Sequence, residues 1–310
     1  MNNDAYDLIR ATEKLPSPKG VALEILRLTE DESTTIDTLG AVIESDPALA
    51  SKLLKIVNSP LSGIAKKVAS LSRAAVLLGY RTVASLALGL SLVADNQKGV
   101  CEGFDYDAFW SESLAQAVAA RHIAKILRFS PDEAFTCALL SQIGRLAFAS
   151  AYPDRYAQAL SVIGGDTRDL SDFEKELFGI DHNGLAAEMM SDWRLPELFV
   201  EAVRAQENPD ASGLEAGSQP HKFSKLLNLS RSIAGVFMLS TVDPEMLSSI
   251  TNQAYQLGIR PDEVQEAFDS IRDEWRDTGK IFSIQTRNVP TLAEIHSRCT
   301  KRRSDLAEAG

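Results

Sequence analysis

The chain has 310 residues, of which 45% are hydrophobic and 24% are charged, proportions that are typical of a globular protein and exclude general disorder. Its net charge of −11 and pI near 5.0 make nucleic acid and anionic lipid improbable partners, because both are bound by basic surfaces. Three cysteines without CxxC spacing indicate neither a disulfide framework nor a zinc site. The polar N-terminus lacks the apolar stretch of a signal peptide, and the longest uncharged run, Thr82 to Ala94, is too short to cross a bilayer. We therefore expect a cytoplasmic protein with no membrane-spanning segment.

Apolar residues recur at helical spacing in the first 95 residues, and no stretch alternates with a period of two, so we predict helices and no sheet. The sharpest signal begins at Asp46 and Pro47, which suit the N-cap and the first turn of a helix. An apolar stripe on this helix is formed by Leu49, Leu53, Ile56 and Val57. One face of the helix is therefore expected to be buried.

The run Asn58-Ser59-Pro60 predicts an abrupt end to this helix, because a proline disfavours helical geometry in the residue before it. Gly63 then permits a tight bend. We expect the Asn58 amide to bond backbone groups and to lock this corner. Gly79 is predicted to end the helix that follows.

The segment Asp95 to Phe104 contains two glycines and is interpreted as a boundary between short helices and a bundle of longer ones. Helices are predicted over Asp107 to Leu127, Pro131 through Ala149, Tyr152 to Ile163, Leu170 to Phe178, Asn183 to Trp193 and Leu195 to Gln206. Residues 207–220 carry a single large apolar side chain, which predicts a mobile loop. Three more helices, starting near Phe223, Pro244 and Pro261, are expected to complete the preceding bundle, because each is too short to bury its apolar stripe alone.

Several motifs follow one another in an order that resembles the HDOD domain family. They are Leu15-Pro16, Asp46-Pro47-Ala48-Leu49, Lys55-Ile56-Val57-Asn58-Ser59, Ser70-Leu71-Ser72-Arg73-Ala74 and Leu77-Leu78-Gly79-Tyr80-Arg81-Thr82-Val83. HDOD domains are bacterial signalling modules related to the metal-dependent HD phosphohydrolases. The resemblance covers roughly residues 12–210 and implies an all-α, multi-helix bundle of two packed subdomains, 12–95 and 105–206. The C-terminal helices at 221–300 lie outside it; they either complete the bundle, which we favour, or flank it as a separate lobe.

The HD superfamily uses a histidine on one helix, a His-Asp pair on a second and a distal aspartate to hold metal ions that activate water. The resemblance places Glu112 at the first histidine, and Ser141 and Gln142 at the His-Asp pair. A hydroxyl and an amide are poor ligands for such ions. His182 matches a histidine used by some HD relatives, whereas the expected acid is missing from the segment 227–231. We therefore predict no metal, no cofactor and no catalytic residues.

The spacing of the histidines also predicts no metal site, independently of the family resemblance. His122, His182, His221 and His296 show no HxxxH, HxH or His-Asp spacing. The sequence also lacks GxSxG, GxGxxG and phosphate-loop motifs. A Ser-His-Asp arrangement that forms only in space is neither excluded nor favoured.

The altered ligand positions outline a vestigial pocket, to which we assign Glu112, Ser141, Gln142, Arg145, His182, Gln206 and Glu207. Glu112, Ser141 and Gln142 either bind a small molecule without cutting it or satisfy one another's hydrogen bonds. Arg145 would be the natural contact for an anion. For His182, which precedes a predicted helix, the simpler expectation is a bond to a backbone group at that terminus.

Three functions are therefore considered. The resemblance favours a non-enzymatic regulatory module that acts by binding another signalling protein. The second is a metal-dependent phosphohydrolase or cyclic-dinucleotide phosphodiesterase with Glu112, His182 and Glu207 as unusual ligands. The third is a sensor that binds a small nucleotide through Arg145 without catalysis. No receiver, kinase or cyclase sequence accompanies the match, so the input is expected to come from another molecule.

Overall fold

The protein folds entirely into helices and connections within the part that can be described. A computed structural model describes residues 3–31, 33–59, 64, 66–163 and 170–297, and no β-strand occurs among them. The all-α prediction is confirmed.

The helices follow the apolar periodicity of the sequence closely. They are α1 (Asn3–Arg10), α2 (Val21–Glu30), α3 (Ile36–Glu44), α4 (Pro47–Val57), α5 (Leu71–Leu78), α6 (Tyr80–Asp95), α7 (Tyr106–Leu127), α8 (Pro131–Leu140), α9 (Ile143–Ala151), α10 (Pro153–Ile163), α11 (Leu170–Phe178), α12 (His182–Asp192), α13 (Glu197–Ala205), α14 (Gln219–Met238), α15 (Pro244–Gln256) and α16 (Pro261–Phe282). A short 3-10 turn occupies Pro209–Ala211, and residues 292–297 are also helical.

The first helix is one that the sequence pattern does not predict. Tyr6 and Ile9 of α1 are buried. The Tyr6 hydroxyl donates to Asp192 Oδ2 at 2.6 Å, and Arg10 Nη1 lies 3.1 Å from the same carboxylate oxygen. An eight-residue helix is too short to be stable alone, so its contact with the end of α12 stabilises it.

Asp46 caps α4 as predicted. Its Oδ1 accepts hydrogen bonds from the backbone amides of Ala48 and Leu49, both at 3.0 Å. Pro47 fills the first helical position, where its missing amide hydrogen has no cost. The four residues of the predicted apolar stripe, Leu49, Leu53, Ile56 and Val57, are buried.

The corner after α4 is held by the Asn58 side chain, also as predicted. Asn58 Nδ2 donates to the carbonyls of Leu54 and Val68 at 2.8 Å each, and Oδ1 accepts from the Val68 amide at 2.7 Å. Ser59 continues the turn by donating its amide to the Ile56 carbonyl at 3.0 Å. The prediction for Gly63 falls outside the described residues.

Gly79 separates α5 from α6 with a φ of 93°, a conformation that favours glycine. Its amide donates to the Ala75 carbonyl at 3.0 Å and closes α5. Gly79 is therefore both the end of one helix and the residue before the next.

The helix predicted from Pro131 through Ala149 is interrupted, which corrects the prediction of a continuous helix. α8 ends at Leu140, and α9 begins after Ser141 and Gln142. The amide and hydroxyl of Ser141 both donate to the Ala138 carbonyl, at 3.3 and 2.9 Å. This tightens the last turn of α8. Apolar residues continue at helical spacing on both sides of Ser141 and Gln142, which is why the break was not predicted.

The same segment, Pro131–Ala151, is long and apolar enough to cross a membrane by length and composition alone, with a mean hydropathy of 1.2. It is 89% buried inside the protein. Core helices of soluble proteins have this property, and we interpret the segment as part of the core.

α7 lies at the centre of the bundle. It packs against α8, α14 and α16, while α6 joins the earlier helices to α8. Trp275 of α16 is fully buried and donates its indole N–H to the Ser111 carbonyl at 3.0 Å. The C-terminal helices thus share the core of α7, and the division into units 12–95, 105–206 and 221–300 remains a prediction.

The segment 207–220 is anchored near its start, which corrects the expectation of a mobile loop throughout. Pro209 is buried within the 3-10 turn. The Asp210 carboxylate lies 3.0 Å from His221 Nε2 and 2.8 Å from Lys225 Nζ. Composition alone could not predict this anchoring, because the partners of Asp210 lie on the following helix.

Candidate functional site

Paired polar side chains run through the interior from α7 to α14. We call this set the buried charge network; in order of contact it contains Glu112, Arg145, Tyr156, Glu174, His182, Glu207 and Arg231. These residues come from α7, α9, α10, α11, α12, the connection after α13, and α14. The network therefore joins six helices and one connection of the bundle.

His182 lies at the middle of the network, fully buried together with Glu174. Glu174 Oε2 accepts the backbone amide of His182 at 2.7 Å and lies 2.6 Å from its Nδ1. The other ring nitrogen, Nε2, lies 3.2 Å from Glu207 Oε1. The two nitrogens of one imidazole thus face two different carboxylates.

The charges in this arrangement stabilise the protonated histidine. Burial lowers the pKa of His182, but Glu174 and then Glu207 outweigh it and raise the pKa to about 8. Burial acts to raise the pKa of Glu207, but His182, Arg231 and Ser171 hold it well below the usual range. The two acidic side chains therefore favour the protonated form of His182.

Tyr156 and Arg231 connect this centre to its surroundings. The Tyr156 hydroxyl donates to Glu174 Oε1 at 3.0 Å, and burial and then the Glu174 charge raise the Tyr156 pKa well above its usual value. On the other side, Arg231 Nη1 lies 2.8 Å from Glu207 Oε1, and the Ser171 hydroxyl bonds the second oxygen of Glu207. Each carboxylate of the centre thus has at least one further partner.

The α7 end of the network lies at a cleft of about 350 Å³ between α7, α9 and α10. Glu112 and Arg145 line it, with Phe104 and Phe109 as apolar walls. Arg145 Nη1 lies 3.7 Å from Glu112 Oε2. Much of the arginine charge is therefore already balanced within the protein.

Ser141 and Gln142 lie beside the network in an amide-rich part of the core. Gln206 Nε2 donates to the Ser141 carbonyl at 3.1 Å and to Asn183 Oδ1 at 2.7 Å. The Gln142 side chain is 3% exposed, and neither its oxygen nor its nitrogen has a hydrogen-bond partner among the described residues. A buried amide without partners is costly.

Comparison with known protein families matches residues 15–209 of this chain, more than half of its length, with the HDOD domain. The chain belongs to the HDOD domain family. The family expected from the sequence motifs is confirmed.

Two solved structures resemble this HDOD protein over most of their length. The MmoQ response regulator of Methylococcus capsulatus str. Bath is 31% identical, with 82% of this chain and 98% of that chain covered and a TM-score of 0.51. A protein of Shewanella amazonensis SB2B named "Putative phosphohydrolase" is 25% identical, with 89% of this chain and 97% of that chain covered and a TM-score of 0.66.

A curated relative of the HDOD protein is an uncharacterized protein of Treponema pallidum (strain Nichols). It is 23% identical over 202 residues, which are 63% of this chain and 38% of the relative. The match thus spans well under half of the relative's length.

The HDOD fold brings the seven residues of the predicted pocket into one region but not into one cavity. Glu112 and Arg145 line the cleft. Ser141, Gln142, His182 and Gln206 are buried, and the Glu207 side chain is 28% exposed. What the sequence groups as one pocket is divided between a cleft and a packed interior.

Two expectations for these residues are wrong. The His182 ring faces two carboxylates rather than a backbone group: Nδ1 is hydrogen-bonded to Glu174, and Nε2 lies at ion-pair distance from Glu207. The helix terminus is capped by Asp181, whose Oδ1 accepts the Gly184 amide at 2.6 Å. Glu112, Ser141 and Gln142 do not satisfy one another either. Glu112 faces Arg145, while the Ser141 hydroxyl bonds a carbonyl within its own helix.

Sequence reasoning missed Glu174, the residue with the shortest contact to His182. Glu174 stands in the acidic run Asp172-Phe173-Glu174-Lys175-Glu176, which is typical of a solvated helix face. Its spacing from Leu170 places it on the buried stripe of α11 instead. The sequence signal for a buried Glu174 was therefore an acidic residue at a position of the apolar stripe of α11.

A metal ion of the HD type does not fit these residues. Imidazole and carboxylates are suitable donors in general, but Glu174 and Glu207 approach opposite nitrogens of His182 and do not converge on one point with it. In the described ranges, no group of three or more His, Cys, Asp or Glu residues is arranged to hold a metal. Among the described residues, the metal-ligand set of the HD superfamily is therefore not assembled at these positions.

Proposed function

We propose that this HDOD protein is a non-enzymatic regulatory module that acts by binding another signalling protein. The observation that carries the proposal is the position of His182 between Glu174 and Glu207. Ser141 and Gln142, at the positions of the His-Asp pair, add a hydroxyl bonded to backbone and an amide without partners. The similarity to a protein named as a response regulator favours a regulatory role.

The protonation state of His182 gives the chemical reason. A histidine binds a metal through a neutral nitrogen, whereas Glu174 and Glu207 raise the pKa of His182 and so favour its protonated form. A metal would have to displace that proton and one of the two carboxylate contacts. The network is better suited to fixing α11, α12 and α14 relative to one another, which preserves a surface for a partner.

The test is elemental analysis of the purified protein together with a phosphodiesterase assay with added Mn²⁺ or Fe²⁺. We expect well below one equivalent of any transition metal and no turnover above the protein-free reaction, with an active HD phosphohydrolase assayed alongside. Metal near one equivalent, with turnover that is lost in Glu112→Gln or His182→Gln, would overturn the proposal.

The proposed regulatory role, and the binding of a signalling partner, are tested in the native bacterium. We expect Glu112→Gln to restore the regulated traits of a deletion strain as well as the unaltered chain does, because the proposal gives Glu112 no chemical role. In-cell crosslinking should yield a signalling protein that also binds the purified chain. Loss of rescue by a stably folded Glu112→Gln variant would contradict the proposal.

A metal-dependent phosphohydrolase is the second candidate, supported by the name of the Shewanella relative at 25% identity. The same assay decides between the two. A nucleotide sensor that uses Arg145 is less favoured, because that guanidinium already contacts Glu112 and Tyr156.

A further inference from the structure

The segment 47–94, which spans α4, α5 and nearly all of α6, has a charge opposite to that of the whole chain. It carries six lysines and arginines and no aspartate or glutamate. Because the net charge of the chain is −11, the segment contributes +6 and the remaining residues −17. The cations are Lys52, Lys55, Lys66, Lys67, Arg73 and Arg81, and all but Lys52 are exposed. The segment therefore presents a positive surface on an acidic protein.

These cations have no acidic partner within the protein. Among the described residues, none of the six forms an ion pair. Glu44 of α3 touches this region, but its Oε1 accepts the Leu71 amide at 3.4 Å at the start of α5. Like charges that are close together and unpaired repel one another. The cluster therefore does not stabilise the fold, which leaves its charge available to another molecule.

Two side-chain hydrogen bonds to backbone fix where the cations lie. Asn58 bonds both the amide and the carbonyl of Val68, at 2.7 and 2.8 Å. Lys67, directly before Val68, is thereby held beside the end of α4. Ser70 then accepts the Arg73 amide at 3.3 Å, which sets Arg73 in the first turn of α5. The positive charge is thus concentrated around the start of α5.

The exposed side of α5 adds apolar side chains to this charge. Val76 is 57% and Leu77 45% exposed. They follow Arg73 by three and four residues and so share its side of the helix. Among the exposed large apolar residues of the described ranges, these two are the consecutive pair. We call Lys66, Lys67, Arg73, Val76 and Leu77 the α5 face.

We propose that the α5 face binds an acidic surface of the signalling partner, with apolar side chains among its carboxylates. The carboxylates would pair with the three cations, and the apolar side chains would cover Val76 and Leu77. The inference rests on the proposed function and adds to it the site and the chemistry of the partner.

A nucleic acid or an anionic membrane matches this face less well. The charge of −17 on the rest of the chain would repel an extended polyanion. Two exposed aliphatic side chains also bury little area in a bilayer. A compact acidic patch on a protein avoids both difficulties, because it needs to meet only the α5 face.

The first measurement places the photocrosslinking residue p-benzoylphenylalanine at Val76 of the full chain in the native bacterium. Tyr255 of α15, 79% exposed, is the control position. We expect one signalling protein to be crosslinked from position 76 and not from 255. Crosslinking of that protein from 255 alone, or equally from both, would leave the regulatory role intact and overturn this proposal. No protein adduct from either position would contradict both, and a nucleic-acid or lipid adduct at 76 would overturn this one.

Charge reversal then tests the contact with that partner after purification. Lys66→Glu, Lys67→Glu and Arg73→Glu are combined in one variant of the full chain. We expect it to bind the partner at least tenfold more weakly in calorimetric titration. Its melting temperature should be no lower than that of the unaltered chain, because acids near the start of a helix are favoured by the helix dipole.

The matched control combines Lys14→Glu, Lys98→Glu and Lys222→Glu. These lysines are exposed and form no ion pair among the described residues, and their reversal changes the net charge by the same amount. We expect the control to bind within twofold of the unaltered chain. An equal loss of affinity in the control would overturn the proposal, because the effect would then come from net charge alone.

The apolar part of the face is tested by combining Val76→Ser and Leu77→Ser, which should also weaken binding at least tenfold. If either this variant or the reversed-charge variant bound as tightly as the unaltered chain, the proposal would be wrong. Lysines substituted for carboxylates in the partner's crosslinked segment should restore binding of the reversed-charge variant. Restoration of that kind requires direct contact between the two charged surfaces.

Discussion

Gly144 of α9 lies against the backbone carbonyl of His182 at the start of α12. A Cβ built on Gly144 would stand 1.9 Å from that oxygen, far inside contact distance. The obstacle is backbone, so it cannot move aside as a flexible side chain could. This contact lets α9 and α12 approach closely and places Arg145 and His182 within one network.

We expect Gly144→Ala to lower the free energy of unfolding by about 3 kcal/mol or more, because the two helices must separate to admit the methyl group. Urea denaturation measures the change. Gly235→Ala on α14 is the control: its Cβ would have no neighbour within 4 Å, and it should stabilise by about 0.5–1 kcal/mol. Equal effects of the two substitutions would contradict the close approach.

The His182 ion pairs predict a specific dependence of stability on pH. Its pKa is raised from 6.5 to about 8, so its contribution is complete below about pH 6.5 and is lost as the pH rises through 8. For this fully buried ring the rise corresponds to about 2 kcal/mol. We expect the free energy of unfolding to fall by about this amount between pH 6 and 9.

The measurement for His182 compares the unaltered chain with His182→Gln across that pH range. In the variant, the free energy of unfolding should change much less between pH 6 and 9. The variant should also be less stable at pH 6 by about 3–5 kcal/mol, because two carboxylates lose their buried partner. Histidine NMR resonances report the titration directly. A His182 ring that titrates near or below 6.5 in the folded protein contradicts the prediction.

Asn58 is predicted to stabilise the corner after α4 through its three backbone hydrogen bonds. Asn58→Ala should cost about 2–3 kcal/mol, at about 1 kcal/mol for each lost bond. The control is Asn96→Ala, which removes a single side-chain bond, to the Leu92 carbonyl at 2.8 Å. Thermal and urea denaturation of both variants check the expected difference. If Asn58→Ala destabilises the protein no more than Asn96→Ala does, the three bonds of Asn58 do not stabilise the corner as predicted.

Replacement of Gln142, unlike that of Asn58, is predicted to stabilise the protein. Because its buried amide has no partner in the described part of the chain, replacement by methionine of similar volume should stabilise by about 1 kcal/mol. Gln206→Met is the comparison, and it should destabilise, because the Gln206 amide bonds Ser141 and Asn183. A destabilised Gln142→Met would show that the amide has a partner in solution.

The parts of the fold that the sequence predicted correctly depend on short-range contacts. Asp46 caps α4 by accepting hydrogen bonds from amides two and three residues ahead, so the relevant atoms are neighbours in any helix that starts there. Asn58 was predictable because a proline follows it closely. The break after Leu140 was not, because apolar residues recur at helical spacing both before and after Ser141 and Gln142.

The sequence by itself determined that this protein is helical and where most helices begin, since both depend on residue identity or on neighbours within one turn. Only the tertiary structure decided what His182 does. Its partners Glu174 and Glu207 come from different elements, and Arg231 lies 24 residues beyond Glu207. Helical periodicity gives the face on which each residue lies, but the packing of α9, α11, α12 and α14 sets the distances that make the histidine an ion-pair partner of both carboxylates.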